Sequence, residues 1–296
     1  MPGTASLGER MKTALVTGAS SGIGLAAAAA LAQAGYRVIG IGRDSARCEQ
    51  AKAYIAAAAP GANAVFLCAD LMQQSEVGRV AGEAARLLDS ENAGRLEVLI
   101  NNTGCVRSWH TTTQEGYEQQ FALNHLAGFL LTYLLLPQLG RADGRVIMTG
   151  SESHKRMRMR WDDVMFSRRY NPLTAYKQSK LANILFARGL NDRYLGEGLR
   201  AYVVDPGLVC TEIGCKDTGG LVNWVWSRRK RLGQDPAIPA KTYLYLSETQ
   251  PAPESLYYRL CRPNQYSGQV TRENADRLFA LSERLCAVAY PARIGL

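Results

Sequence analysis

Short, mostly apolar runs recur along the chain at Thr13–Thr17 (TALVT), Arg37–Ile41 (RVIGI), Ala64–Cys68 (AVFLC), Val98–Ile100 (VLI), Arg145–Met148 (RVIM) and Leu199–Val204 (LRAYVV). They are too short for helices, and their apolar content is continuous rather than alternating. That pattern predicts strands buried on both faces. Longer stretches of helical character lie between them, at Ile23–Ala34, Ser45–Ala58, Gln74–Leu88, Thr113–Leu139 and Ala175–Leu195. Such alternation predicts an α/β fold, a doubly wound parallel sheet with right-handed crossovers. No repeat or linker interrupts it, so residues 1–296 are expected to form a single domain.

The alternation breaks twice. Glu152–Thr174 is basic and methionine-rich, and Gly207–Pro239 carries glycines, two tryptophans and a run of arginines. Ligands of open α/β sheets bind outside the carboxyl ends of the strands, and both breaks follow such ends. Both are therefore expected to wall a substrate pocket, with residues 207–239 as its lid. In the first break, Met157, Met159, Trp161, Met165 and Phe166 predict an adaptable apolar wall. In the second, Trp224 and Trp226 stand beside Arg228–Arg231, which also suits weak peripheral contact with a membrane surface. Phe121–Leu139 has no formal charge, yet it holds Asn124, His125 and Pro137 and is barely long enough to span a bilayer. It reads as a buried helix, or one at a subunit interface, rather than as a transmembrane segment.

Composition narrows the class. Hydrophobic residues make up 47% and charged residues 21%, a balance that argues against disorder. Residues 1–150 carry twelve basic and twelve acidic side chains, so the whole net charge of +9 sits in the remainder. It concentrates in Lys155–Arg160, Arg168–Arg169 and Arg228–Arg231. Solvated surface accounts for such runs, and no nucleic-acid recognition motif accompanies them. Seven scattered cysteines without a C-x-x-C pair argue for reduced thiols. The opening MPGTASLGERMK lacks an apolar leader, so a cytoplasmic location is expected. The three histidines lack metal-ligand spacing, and no metal is expected.

The candidate chemistry begins at TGASSGIG, Thr17 to Gly24, which leaves the first strand and opens the first helix. Gly18, Gly22 and Gly24 allow a tight turn and close approach of a pyrophosphate. The backbone amides of Ser20, Ser21 and Ile23 lie at the helix N-terminus that would receive it. The second strand is followed by Arg43. A guanidinium there can pair with a ribose 2′-phosphate, whereas a free 2′-hydroxyl usually meets an acid. Asp44 comes one residue late and is placed to cap the next helix. NADP(H) is therefore expected over NAD(H).

These features, with NNTG (Asn101–Gly104), ALNHLAG (Ala122–Gly128), Ser151, YKQSK (Tyr176–Lys180) and DPGLVCT (Asp205–Thr211), resemble the short-chain dehydrogenase/reductases in order and spacing. AYKQSKLANILFA and the tail SGQ…RLFALSERL resemble the retinol-dehydrogenase-like group within them. The resemblance implies that Tyr176 exchanges a proton with the reacting oxygen. A free phenol, with a pKa near ~10, is a poor base at neutral pH. Lys180, one helical turn on, would favour the phenolate and bond the nicotinamide ribose. Ser151 would hold the reacting oxygen, and Asn124 would steady a water leading to the lysine. The resemblance further implies cofactor contacts at Asp70, Leu71, Asn101, Thr103, Gly104, Pro206, Gly207, Val209 and Thr211. Thr103 stands where the family usually has alanine, and Gly150 where serine is common.

The expected function is NADP(H)-dependent interconversion of an alcohol and a ketone or aldehyde on a bulky apolar substrate, retinoid-, steroid- or lipid-like. The family resemblance also implies a homo-oligomer. Reduction of a C=C bond on the same scaffold, and a non-catalytic NADP(H)-binding interaction protein, are the alternatives.

Overall fold

The computed structural model describes residues 11–209 and 233–295. All six apolar runs form strands: β1 (Thr13–Thr17), β2 (Arg37–Gly42), β3 (Ala64–Cys68), β4 (Val98–Asn101), β5 (Arg145–Thr149) and β6 (Arg200–Val204). A parallel β7 (Tyr257–Arg259) and an antiparallel β8 (Arg262–Pro263) extend the sheet, in the order β3-β2-β1-β4-β5-β6-β7-β8. Strands β1, β2, β4 and β5 are buried throughout, as continuous apolar runs require. The expectation of burial on both faces fails at β3, which is only half-buried because it is the edge strand.

Helices cover both faces. On one, α1 (Gly22–Gln33), α2 (Ser45–Ala58) and α8 (Ala237–Glu248) bury Ala28, Ile55 and Tyr243 against Val16 and Val38. On the other, α3 (Gln74–Glu91), α5 (Ala127–Leu134), α7 (Pro172–Tyr194) and α9 (Arg272–Cys286) bury Val80, Phe129, Leu185 and Phe279 against Leu15 and Ile39. Neighbouring strand residues thus feed opposite layers, the period of two that a pleated strand imposes.

The helix expected over Thr113–Leu139 is shorter and broken. Thr112 and Glu118 form a β-bridge across a turn at Gly116 (φ +84°). The Glu118 carboxylate then accepts from the amides of Gln120 and Phe121, starting α4 (Gln119–Phe121). A π-helical turn, Ala122–Leu126, leads into α5. The helix stops at Leu135 and restarts as α6 (Leu136–Gly140), with Pro137 in its first turn. Proline has no N–H to give and fits only a helix start. Phe129, Leu131, Leu135 and Leu139 are buried within the chain, as the buried-helix reading expects, while Tyr133 and Leu134 are only partly buried. None of the described helices is long and apolar enough to cross a membrane.

His125 lies fully buried in this region among Phe121, Phe129 and Phe186, with Nε2 2.8 Å from Ser282 Oγ of α9. Burial pushes its imidazole down to about 3. The unfolded chain takes up this proton near 6.5, so between those values the unfolded state binds more protons and stability falls as pH falls. At ~1.4 kcal/mol per pH unit the loss reaches roughly 2–3 kcal/mol by about pH 4.5 and vanishes above the unfolded value. Urea unfolding from neutral to acidic pH should therefore show a flatter acid slope for His125→Phe than for wild type. Equal slopes would refute this assignment.

Candidate active site

The strand order reverses direction at β1, whose neighbours are β2 and β4. The loops leaving β1 and β4 therefore part at this point and open a crevice, where open α/β sheets bind ligands. A cleft of about 600 Å³ occupies it. It is lined by Gly18, Ser20, Ser21, Gly22 and Ile23 from the first loop, Arg43 after β2, Asp70 and Leu71 after β3, and Thr103 and Gly104 after β4.

Local conformation explains the glycines. Gly18 (φ +68°) and Gly22 (φ +57°) adopt left-handed backbone that other residues disfavour. Ser21 is the N-cap of α1 but makes no side-chain cap bond, and the first turn has no acidic residue. The helix thus presents uncapped amide donors to the cleft, a ready anion site. The buried Thr103 hydroxyl, which lines the crevice, has no hydrogen-bond partner and can donate as well. This donor set fits a dinucleotide phosphate group.

Arg43 is exposed at the cleft rim. Asp44 caps α2, its carboxylate accepting from the Arg47 amide at 2.9 Å. Arg47, in the first turn of α2, also lines the cleft, with Gln50 nearby. The sequence did not single out Arg47, which stands among the basic residues of an exposed helix start. Arg107 and Cys105, on the loop after β4, were likewise not named as cleft residues. Burial pushes the Cys105 thiol up to about 12.

The second group of residues gathers at the ends of β4 and β5. Asn124 sits in the π-helical turn, where its amide pairs with both backbone groups of Cys105. Oδ1 accepts from Cys105 N (2.7 Å) and Nδ2 donates to Cys105 O (3.1 Å). Nδ2 also donates to Ser179 Oγ (2.9 Å), which donates in turn to the Tyr176 carbonyl (2.8 Å). Lys180 is buried, with Nζ 3.0 Å from the Thr149 carbonyl and 5.6 Å from the centroid of the Tyr176 ring. Desolvation lowers its ammonium to about 8. Asn183 Nδ2 shares the Thr149 carbonyl (3.1 Å), so the end of β5 anchors α7 twice. Ser151 follows two residues later, its Oγ accepting from Ser153 N (3.3 Å). That leaves the hydroxyl proton available to donate.

Gly104 joins the two groups. It lines the cleft, and a Cβ there would lie 3.0 Å from Asn124 Oδ1 and 3.7 Å from Lys180 Nζ. Asn101 is anchored by donating to Thr132 Oγ1 (3.1 Å). After β6, Pro206 is buried and its carbonyl accepts from Gln234 Nε2 (2.7 Å). Gly207 (φ +68°) is held by Asp205 Oδ1, and Val209 bridges Gln234. Thr211 and the tryptophan- and arginine-bearing part of the expected lid lie outside the described residues.

The expected apolar wall is largely absorbed into the fold. Met157, Met159 and Phe166 are buried in the core beneath α7, and Trp161 and Met165 pack half-buried against it. Arg277 of α9 lies 4.6 Å over the Trp161 ring. The first break is thus a packed segment, with little of its methionine surface left for a ligand.

A short chain dehydrogenase family model matches residues 12–218. Human retinol dehydrogenase 13 is 33% identical over 295 residues, covering 95% of this chain and 86% of that protein. Human retinol dehydrogenase 14 is 34% identical, covering 92% and 85%. A solved, uncharacterised protein of Mycobacterium paratuberculosis superposes with a TM-score of 0.73 at 29% identity over 95% of both chains. A Sphingobium yanoikuyae short-chain dehydrogenase, solved with NADPH, shares the fold at a TM-score of 0.62 and 24% identity, covering 79% and 83%. The chain belongs to the short-chain dehydrogenase family of oxidoreductases, with retinol dehydrogenases among its relatives.

Proposed function

We propose that this protein is an NADP(H)-dependent oxidoreductase that interconverts an alcohol and a ketone or aldehyde on a bulky, apolar, retinoid-like substrate. The observation that carries the proposal is that Asn124 and Lys180 meet beside Gly104, a residue of the crevice, with the Tyr176 ring centroid 5.6 Å from Lys180 Nζ and Ser151 two residues beyond the Thr149 carbonyl that Lys180 bonds. When bound, the cofactor supplies or accepts the hydride. Tyr176 gives or takes the proton at the substrate oxygen, and the Ser151 hydroxyl donates to that oxygen as charge develops on it. Lys180 places a positive charge near the phenol, and no carboxylate among the described residues pairs with it. The amides of the Gly18–Ile23 loop would hold the pyrophosphate, and the Gly207 turn would allow close approach of the nicotinamide.

The preference for NADP(H) rests on Arg43 and Arg47 lining one cleft while the Asp44 carboxylate is committed to capping α2. The substrate class rests on the retinol dehydrogenase relatives. A single domain, closed by a lid over residues 207–239, and a homo-oligomer belong to the same proposal.

The test is a panel of retinaldehyde, a steroid ketone and a long-chain aldehyde, each with NADPH and with NADH. Turnover of at least one apolar carbonyl, faster with NADPH, is expected; none with either cofactor would refute the reading. Arg43→Ala should raise the Kd for NADPH by about tenfold, a loss of ~1.4 kcal/mol, with little change for NADH. Equal effects on both would remove Arg43 from 2′-phosphate recognition.

A further inference from the structure

His154 stands in an otherwise basic segment, between exposed Glu152 and Arg156, yet its side chain is fully buried. Both ring nitrogens are engaged. Nδ1 is 2.6 Å from the Ser151 carbonyl, and Nε2 is 3.2 Å from the Ser267 amide nitrogen. A backbone N–H can only donate, so Nε2 must be a bare acceptor. The one ring proton then sits on Nδ1 and is donated to Ser151. The ring edge packs on Tyr257 of β7, with centroids 5.1 Å apart. Ser267 is itself fixed, its hydroxyl and carbonyl accepting from the amides of Gln269 and Val270 at the approach to α9. The imidazole is therefore a strut between the residue proposed to hold the substrate oxygen and Ser267, 113 positions beyond His154 itself.

We propose that His154 is a positioning residue for Ser151: one neutral tautomer of its buried ring clamps the Ser151 carbonyl and so sets where the Ser151 hydroxyl points. The proposal rests on the reading of Ser151 given above. A hydroxyl donor must sit within a few tenths of an ångström of the position where charge develops. Ser151 has extended backbone (φ −169°) at the start of a single 3₁₀ turn, Glu152–Arg156, so its hydroxyl moves with any rotation of that peptide. The strut removes that freedom. Neutrality is favoured by burial, which lowers the imidazole below its ordinary value.

Two substitutions divide the ring's functions. His154→Asn places an amide nitrogen where Nδ1 was, keeping the bond to Ser151 and losing Ser267. His154→Gln reaches the Nε2 position, keeping an acceptor for Ser267 and losing Ser151. With the best carbonyl of the panel, Gln should lower kcat by roughly 10- to 100-fold with little change in KM, and Asn should recover most of that loss. Kd for NADPH, read by fluorescence, should be unchanged in both. In a Ser151→Ala background, His154→Gln should cost almost nothing more, since the group it positions is gone. Nitrogen-15 spectra of labelled histidine should show Nδ1 protonated and Nε2 bare at neutral pH.

Equal losses for Asn and Gln, additive losses with Ser151→Ala, or an Nε2-protonated ring would each overturn the proposal. If Ser151→Ala itself leaves turnover intact, the role given to Ser151 fails instead. Should the Gln variant not fold, the Asn variant decides alone. It must turn over near wild type, and a loss matching that of Ser151→Ala overturns the strut.

Discussion

Tyr176→Phe is expected to lower kcat by about 10³-fold, within the range a positioned acid–base group contributes, while the Kd for NADPH changes by less than about twofold. The separation follows from how the site is held. The substitution keeps the ring and removes only the phenolic oxygen. Lys180 is anchored by the Thr149 carbonyl at the end of β5, so its position does not depend on that oxygen. Ser179 bonds the backbone carbonyl of residue 176, which the change leaves in place. Single-turnover reduction and fluorescence titration with NADPH measure the two quantities independently. Turnover surviving at the wild-type rate would refute Tyr176 as proton donor, and a parallel loss of cofactor binding would assign it a structural part.

Gly24→Ala is expected to weaken NADPH binding by about 10²-fold and to destabilise the fold by about 1–3 kcal/mol. A Cβ at this position would lie 2.7 Å from the carbonyl carbon of Gly18 and 2.6 Å from Asn102 Nδ2. Neither neighbour can yield cheaply. Gly18 is fixed in a left-handed turn, and Asn102 Nδ2 donates to the Thr17 carbonyl at 3.2 Å. The first turn of α1 would have to move away from the loop, taking its amide donors with it. Gly78, in the exposed part of α3, is the control: a Cβ there meets nothing within 4 Å. Gly78→Ala should leave binding unchanged and stabilise slightly, since alanine loses less backbone freedom on folding. Normal NADPH affinity in Gly24→Ala would mean that the loop is not the phosphate site.

Six strands and their parallel, doubly wound arrangement were legible in the sequence because each depends on a local property, a short apolar run between helical periods. The added strand β7 was not. Tyr257–Arg259 is only three residues long and is a strand because β6 lies beside it. Helix α8 begins at Ala237, at the end of a segment that looked irregular. The break between α5 and α6 was written in Pro137, but the long apolar run over Phe121–Leu139 masked it.

For the site, residue type and spacing were enough to choose Gly18 for a role, whereas Ser151, Tyr176 and Lys180 were chosen through the resemblance of their motifs to a known family. Glycine conformational freedom and one-turn helical spacing are properties of a few consecutive residues. What those side chains bond to was decided only by the tertiary structure. Lys180 meets a carbonyl 31 residues away, His125 a serine 157 away, and His154 an amide 113 away. In the sequence, His154 was indistinguishable from a residue bonding its own turn, and Met157, Met159 and Phe166 from the wall of a pocket. A hydrogen bond or a packed core contact is a property of two surfaces brought together. Its partner is set by how the sheet orders its strands and where α9 returns, neither of which any short stretch of chain encodes.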